Sequence, residues 1–180
     1  MKRPMIRELD FEIDKLTNSI ENSVTGEVFD TEITPLSLSD KRQIKKADWV
    51  FDWQKELKGN DRIVYKLTTV SNFGIVHGLI SLSENPGHIF INLIESAKFN
   101  KGKKKQYKGI AGNLTAFACK ASFEKGYEGF VSFIAKTRLI EHYKQTLGAQ
   151  LFGGNMMFID TPNAKKLVNM YFKNFDHGKF

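Results

Sequence analysis

A single cysteine, Cys119, stands among the 180 residues. One thiol cannot close an internal disulfide, which fits a reducing compartment. A chain this long buries roughly 70% of its unfolded surface and needs no such staple. Cys119 falls inside a helical pattern and reads as a small packing residue rather than a reactive thiol. No apolar run approaches the ~20 residues that a bilayer-spanning helix requires. The opening residues Met1, Lys2, Arg3 and Pro4 carry charge with no apolar stretch behind it, so they do not read as a secretion signal. Repeats, linkers and low-complexity tracts are also missing. The expectation is one domain over residues 1–180, in the cytoplasm.

What the chain has in excess is positive charge, a formal net +7. Lys101, Lys103, Lys104, Lys105 and Lys108 lie close together in one loop. Such a patch suggests nucleic acid first. Only Tyr107 interleaves with these lysines, however, and no nucleic-acid motif accompanies them. The patch leads into a glycine-rich turn of the kind that holds phosphate, so a phosphorylated small molecule explains it with fewer assumptions.

That turn belongs to the stretch that organises the sequence, residues 88–125. Near-continuous apolar residues from His88 to Ala97 predict a strand buried on both faces. The lysine loop follows, then Gln106-Tyr-Lys-Gly-Ile-Ala-Gly-Asn113. A helix is next, with Ile110, Leu114, Phe117, Ala118 and Ala121 on one stripe and a stop at Gly126. Backbone N–H groups at a helix start have no helical partners, and the helix dipole favours an anion there. Glycine lets a phosphate approach the backbone.

Elsewhere the spacing of Ile13, Leu16 and Ile20 predicts a short helix over 9–23. A strand is expected over 27–36, and a second helix over 40–59, capped by Asp40 with Gln43 and carrying Trp49 and Trp53 as packing residues. Two strands over 62–70 and 73–82, joined at Ser71-Asn72, and the turn Asn85-Pro86-Gly87 make a meander with the His88 strand. Residues 129–135 read as a buried strand lying parallel to the His88 strand after a right-handed crossover. A helix with Leu139, Ile140, Tyr143 and Leu147 ends at Gly148, with Thr137 as its cap. Short strands flank Gly153-Gly154, and a last helix starts at Thr161-Pro162. His142 is expected to be exposed and His77 to be structural.

This order, with Gln106-Tyr-Lys-Gly109-Ile-Ala111 as a Gln/Arg-x-x-Gly-x-Gly/Ala turn between a buried strand and a helix, resembles the GNAT superfamily of acetyl-CoA-dependent N-acetyltransferases. The resemblance covers about residues 31–160. It implies a mixed, mostly antiparallel central sheet with one parallel strand pair, flanked by helices. Residues 1–26, as a helical extension, and residues 161–180, as a helix and tail, are additions to that core. It further implies acetyl-CoA as co-substrate and no metal. Amides of Lys108, Gly109, Ile110, Ala111, Gly112 and Asn113 would hold the pyrophosphate, beside Gln106 and Tyr107. Main chain at Leu93, Ile94 and Glu95 would pair with the pantetheine arm, and Lys103, Lys104, Lys105 and Lys108 would meet the ribose phosphate. Thr137 stands where an asparagine often makes a coenzyme contact, and Gln106 replaces the commoner arginine.

An amine attacking a thioester needs a base for the ammonium, a donor for the oxyanion and an acid for the sulfur. The resemblance points to Glu95 as base and to Tyr143, five residues before Gly148, as acid. Glu95 has an alternative reading, as a partner for a nearby lysine or for substrate. The acceptor would be a small-molecule or protein amine, with neither membrane nor nucleic acid as partner; the oligomeric state stays open. The competing readings are a non-catalytic coenzyme A-binding protein of the same fold and, less favoured, a basic nucleic-acid adaptor.

Overall fold

A seven-stranded sheet runs through the chain in the computed structural model, which describes residues 7–16, 19–176 and 179. The first strands are β1 (Ile20–Asn22), β2 (Val28–Phe29) and β3 (Thr31–Pro35). One short helix, α1 (Trp53–Glu56), precedes the meander β4 (Ile63–Thr69), β5 (Gly78–Asn85) and β6 (His88–Ser96). Next come β7 (Tyr107–Lys108), α2 (Ile110–Glu124), β8 (Val131–Ile134) and α3 (Ile140–Leu147). The chain continues through β9 (Gln150–Gly153), β10 (Met156–Ile159) and α4 (Thr161–Tyr171). The main sheet has the order β3-β4-β5-β6-β8-β10-β9, and a small sheet joins β2, β1 and β7. All neighbours in the main sheet are antiparallel except β6 and β8. This is the mixed, mostly antiparallel sheet with one parallel strand pair, flanked by helices, that the resemblance implies.

Ile80 and Ile91 lie on one face and Leu79 and Leu93 on the other; an extra residue in β6 between Ile91 and Leu93, opposite Ser81 and Leu82, reverses the two-residue alternation there. The first face, with Val131, Phe133 and Met157, is covered by apolar residues of α2, α3 and α4. The second is covered by Leu36, Ile44, Trp49 and Trp53, from a segment with little regular structure. The aromatic pair packs as expected, Trp49 edge-on to Trp53 at 6.4 Å between ring centres.

Two expected helices do not form. Residues 10–16 form no regular element, Leu9 bridges Ala135 in parallel, and Ile20–Asn22 are β1; residues 17 and 18 of the expected helix lie outside the described residues. Residues 40–59 form 3-10 turns and the four-residue α1 instead of one helix. Asp40 does take part in a capping box, but as its third residue, bonded back to Ser37. The physical reason in both places is that the main chain has better partners than its own carbonyls. The amides of Val50 and Phe51 donate to the Glu95 carboxylate at 2.7 and 3.2 Å. The β4–β5 connection is also longer than a two-residue turn, because residues 70–77 lie between the strands.

The C-terminal half follows its pattern. Asp160 caps α4, accepting from the Asn163 amide at 3.1 Å, with Pro162 in the first turn. Phe172 and Phe175 of the tail lie near the Lys120 ammonium of α2. The rest of the expected tail at 177, 178 and 180, and the opening residues 1–6, lie outside the described residues. Among the described residues no helix is long and apolar enough to cross a membrane. Nor does any group of three or more His, Cys, Asp or Glu side chains among them sit close enough to hold a metal.

Candidate functional site

The glycine turn forms where the pattern places it. Gly109 precedes α2 with φ +88°, a left-handed conformation that glycine adopts without the strain a side chain would bring. The first N–H groups of α2, at Ile110, Ala111 and Gly112, have no carbonyl four residues back within the helix. The Asn113 amide is not available in this way. It donates to the Gly109 carbonyl at 3.0 Å, which corrects its expected place among the phosphate donors. Tyr107 and Lys108 pair as β7 with Asn22 and Glu21 of β1. Lys103, Lys104 and Gln106 are exposed.

The lysine loop is anchored rather than loose. Asn100, buried, donates to the His77 carbonyl and accepts from the Tyr107 amide, each at 3.2 Å. The His77 ring sits edge-on to Phe99 and Tyr107. Burial pushes the His77 pKa down to about 4, so the ring is neutral and structural, as the sequence suggests.

Beside this turn the parallel pair comes apart. β6 pairs with β8 only at Ile89 and Phe90, while its other edge stays paired to β5 as far as Ser96. Leu93, Ile94 and Glu95 therefore have one edge turned away from any sheet partner among the described strands. Leu9 takes up the edge of β8 at this level, and the residues after it run on past α3. The Leu9 amide donates to the Ile134 carbonyl, and the Lys136 amide donates to the Leu9 carbonyl at 3.1 Å. A cleft of about 240 Å³ remains, lined by Asp10, Phe11, Glu12 and Asp14 on one side and by Ile94, Glu95, Lys101, Lys105 and Ala111 on the other.

Glu95 lies at this cleft but its carboxylate is occupied. It accepts from the Val50 and Phe51 amides, from Trp53 Nε1 at 2.9 Å and from Lys101 Nζ at 2.8 Å. Four donors fill the lone pairs of a carboxylate. The group holds the irregular segment against the sheet, and the lysine partner foreseen as the alternative reading is Lys101.

Tyr143 is fully buried on α3, its ring edge-on to Phe133 at 5.3 Å. Its hydroxyl donates to the Phe11 carbonyl at 2.6 Å and lies 3.3 Å from the Phe11 amide, which donates to it. Burial raises its pKa above the ordinary phenol value, so it stays protonated. His142 is not exposed as expected: its Nε2 accepts from the Ile13 amide at 2.9 Å. Thr137 is exposed and accepts from Asn155 Nδ2 at 3.1 Å; it opens a 3-10 turn, and Leu139, not Thr137, occupies the cap position of α3.

Sequence reasoning missed the N-terminal contribution altogether. Asp14 Oδ1 accepts from the Gly109 amide at 3.1 Å, and Asp14 Oδ2 meets Lys105 Nζ at 3.0 Å. A signal was present: Leu9-Asp-Phe-Glu-Ile-Asp14 alternates strictly between apolar and acidic residues, which is a strand pattern. The residues of the turn fit a phosphate of coenzyme A, since the Gly109 amide already holds an anionic oxygen with a lysine on its partner oxygen.

No family model matches the sequence, and no curated protein is similar to it. Similar solved structures include an acetyltransferase for the alanine of ribosomal protein S18 from Escherichia coli (12% identity over 72% of this chain and 92% of that one, TM-score 0.42). Another is a chimera built on spermidine N-acetyltransferase from Vibrio cholerae (16% identity, 76% and 98%, TM-score 0.46). A third, from Bacillus anthracis, is described as a streptothricin acetyltransferase in complex with acetyl coenzyme A (12%, 72% and 95%, TM-score 0.48). Likeness at this level says nothing of substrate or mechanism.

Proposed function

We propose that the chain is an N-acetyltransferase that moves an acetyl group from acetyl-CoA to a primary amine. The observation that carries the reading is a conjunction. The one parallel strand pair stops pairing after Phe90, and beside the opening the Gly109 turn presents N–H groups at the start of a 15-residue helix. The strand edge at Leu93, Ile94 and Glu95 suits an extended amide-bearing arm. The turn, with Lys105 beside it, suits a diphosphate. In the transfer the amine nitrogen bonds to the acetyl carbon and gives up a proton to water, the carbon–sulfur bond breaks, and sulfur takes a proton. Tyr143 is the proton donor in this proposal, because its hydroxyl sits at the main chain of Phe11, a residue of the cleft wall; burial keeps the phenol protonated at the cost of making it a weaker acid. Glu95 acts by positioning the 49–53 segment at the cleft rather than as the base, since four donors hold it.

The test is thermal unfolding with acetyl-CoA, coenzyme A and ATP at matched concentrations. At about 100 times its dissociation constant, a ligand stabilises the native state by about 2.7 kcal/mol. Shifts with both coenzymes well above that with ATP are expected; no shift with either removes the coenzyme from the proposal. Tyr143→Phe should then lower thiol release about 10²–10⁴-fold with coenzyme binding kept. Glu95→Gln should act on stability before turnover.

A second reading, a coenzyme A-binding protein without catalysis, is favoured by one observation: the Tyr143 hydroxyl is already bonded to Phe11 main chain. Coenzyme binding without thiol release over a panel of polyamine, aminosugar and peptide amines would select it. The nucleic-acid reading is weaker than the charge suggests, because Lys101 and Lys105 are paired with Glu95 and Asp14.

A further inference from the structure

We propose that residues 9–14 are a built-in competitor for the coenzyme, a strap that lies in the opened strand pair and must leave before coenzyme A enters. The inference rests on the coenzyme reading above and concerns the regulation of that same site. The strap runs along the opening and ends on the turn that the coenzyme phosphate would use. Leu9 pairs with β8 on the edge that β6 gives up after Phe90. Phe11 main chain bonds the Tyr143 hydroxyl, the proposed acid. The Ile13 amide bonds His142. Asp14 then puts one carboxylate oxygen on the Gly109 amide and the other on Lys105, the geometry of an anion at a helix start.

The alternation of the strap explains how it can do this. Leu9 and Ile13 are buried and Phe11 is half-buried, so the apolar side chains hold the segment down. The amides of Leu9, Phe11 and Ile13 all donate to β8 or α3. The intervening acids Asp10, Glu12 and Asp14 line the cleft. Asp10 is held there by Lys136 and Arg138. Six extended residues reach at most about 20 Å, enough to run from the strand edge to the glycine turn. The cleft left beside the strap, about 240 Å³, is below the roughly 300–1,000 Å³ of ordinary ligand pockets. A large extended ligand therefore needs the strap moved. The strap carries its own stand-in for the phosphate, the Asp14 carboxylate on the Gly109 amide.

The experiment compares the full chain with Asp14→Asn, which keeps the side-chain size and removes the charge. Coenzyme A and inorganic pyrophosphate are the probes, with dissociation constants from calorimetry. Hydrogen exchange at the Leu9, Phe11 and Ile13 amides is followed with and without saturating coenzyme A. Removing a charge-assisted contact from the competitor should tighten binding of both probes by about tenfold. Exchange at the three amides should speed up when coenzyme A binds the unmodified chain. Equal affinities for the two chains overturn the strap and leave the coenzyme reading standing, and so does exchange that stays unchanged at saturation. Absence of coenzyme binding by either chain overturns the coenzyme reading itself, and the strap falls with it.

Discussion

The two faces of the sheet are covered by opposite means. On one, α2, α3 and α4 satisfy most of their own backbone and bring mainly apolar side chains to the core around Leu114, Phe133 and Tyr143. On the other, residues 36–57 cover Val64, Leu79 and Leu93 with scarcely a turn of α-helix. Backbone that makes no helix has to find other partners, and here it finds buried carboxylates. Glu95 takes two amides and an indole N–H. Glu56, 1% exposed, takes Ser81 Oγ at 2.8 Å, Arg62 at 2.9 Å and Arg7. Burial alone would raise the Glu56 pKa, but these bonds outweigh it and hold the carboxyl below its ordinary value. A helical cover is fixed by shape, and an irregular one by a few charged nodes.

Removing a node should therefore cost more than disturbing a helix contact. Glu56→Ala leaves Arg7, Arg62 and Ser81 without their shared acceptor. It should lower the unfolding free energy by about 3–5 kcal/mol in a urea titration, the range for breaking a buried pair. A loss under 1 kcal/mol would mean that the irregular cover does not depend on this carboxylate.

The matching disturbance on the helical face is Gly78→Ala. A Cβ there would lie 2.6 Å from Ile110 Cγ2 and 2.9 Å from Leu114 Cδ1, both on α2. Overpacking of this kind should cost about 1–3 kcal/mol. A loss as large as that of Glu56→Ala would erase the contrast between the faces.

The last effect expected, of about the size of the Gly78→Ala loss or less, is one of pH. His77, next to the irregular cover, is neutral with its pKa pushed from 6.5 down to about 4 by burial. The unfolded chain binds a proton near pH 6.5 that the folded chain refuses until about pH 4. Stability therefore falls as pH drops through that window. Urea midpoints at pH 7.5 and pH 5 should differ, and the difference should shrink in His77→Gln. An equal difference in the variant would put the titration elsewhere.

Most of the helical face was legible in the sequence. The stripe from Ile110 to Ala121, the stop at Gly126, the Pro162 start and the Tyr143 helix ending at Gly148 are local signals, and local geometry decided them. The meander and the parallel crossover were legible for the same reason. The other face was not, because the spacing of Val50 and Trp53 is compatible with a helix and only a distant residue, Glu95, withdraws their amides from it. Ile13, Leu16 and Ile20 misled in the same way: their spacing suits a helix, while the two-residue alternation from Leu9 to Asp14 suits the non-helical course actually taken. Among the site residues, Gly109 and Tyr143 lie where the pattern placed them. Asp14 could not be assigned, since nothing in the sequence says that it reaches a turn 95 positions away.

Cys119 has a practical use that follows from its position. It is wholly buried in α2, and burial raises its thiol pKa, so the thiolate that alkylating reagents need is scarce in the folded chain. The intact protein is thus nearly silent toward such reagents, and the rate at which it acquires label clocks the opening of its central helix. A cysteine introduced on an exposed residue such as Glu12 would label fast against that quiet background, giving a chemical stopwatch with two hands on one molecule.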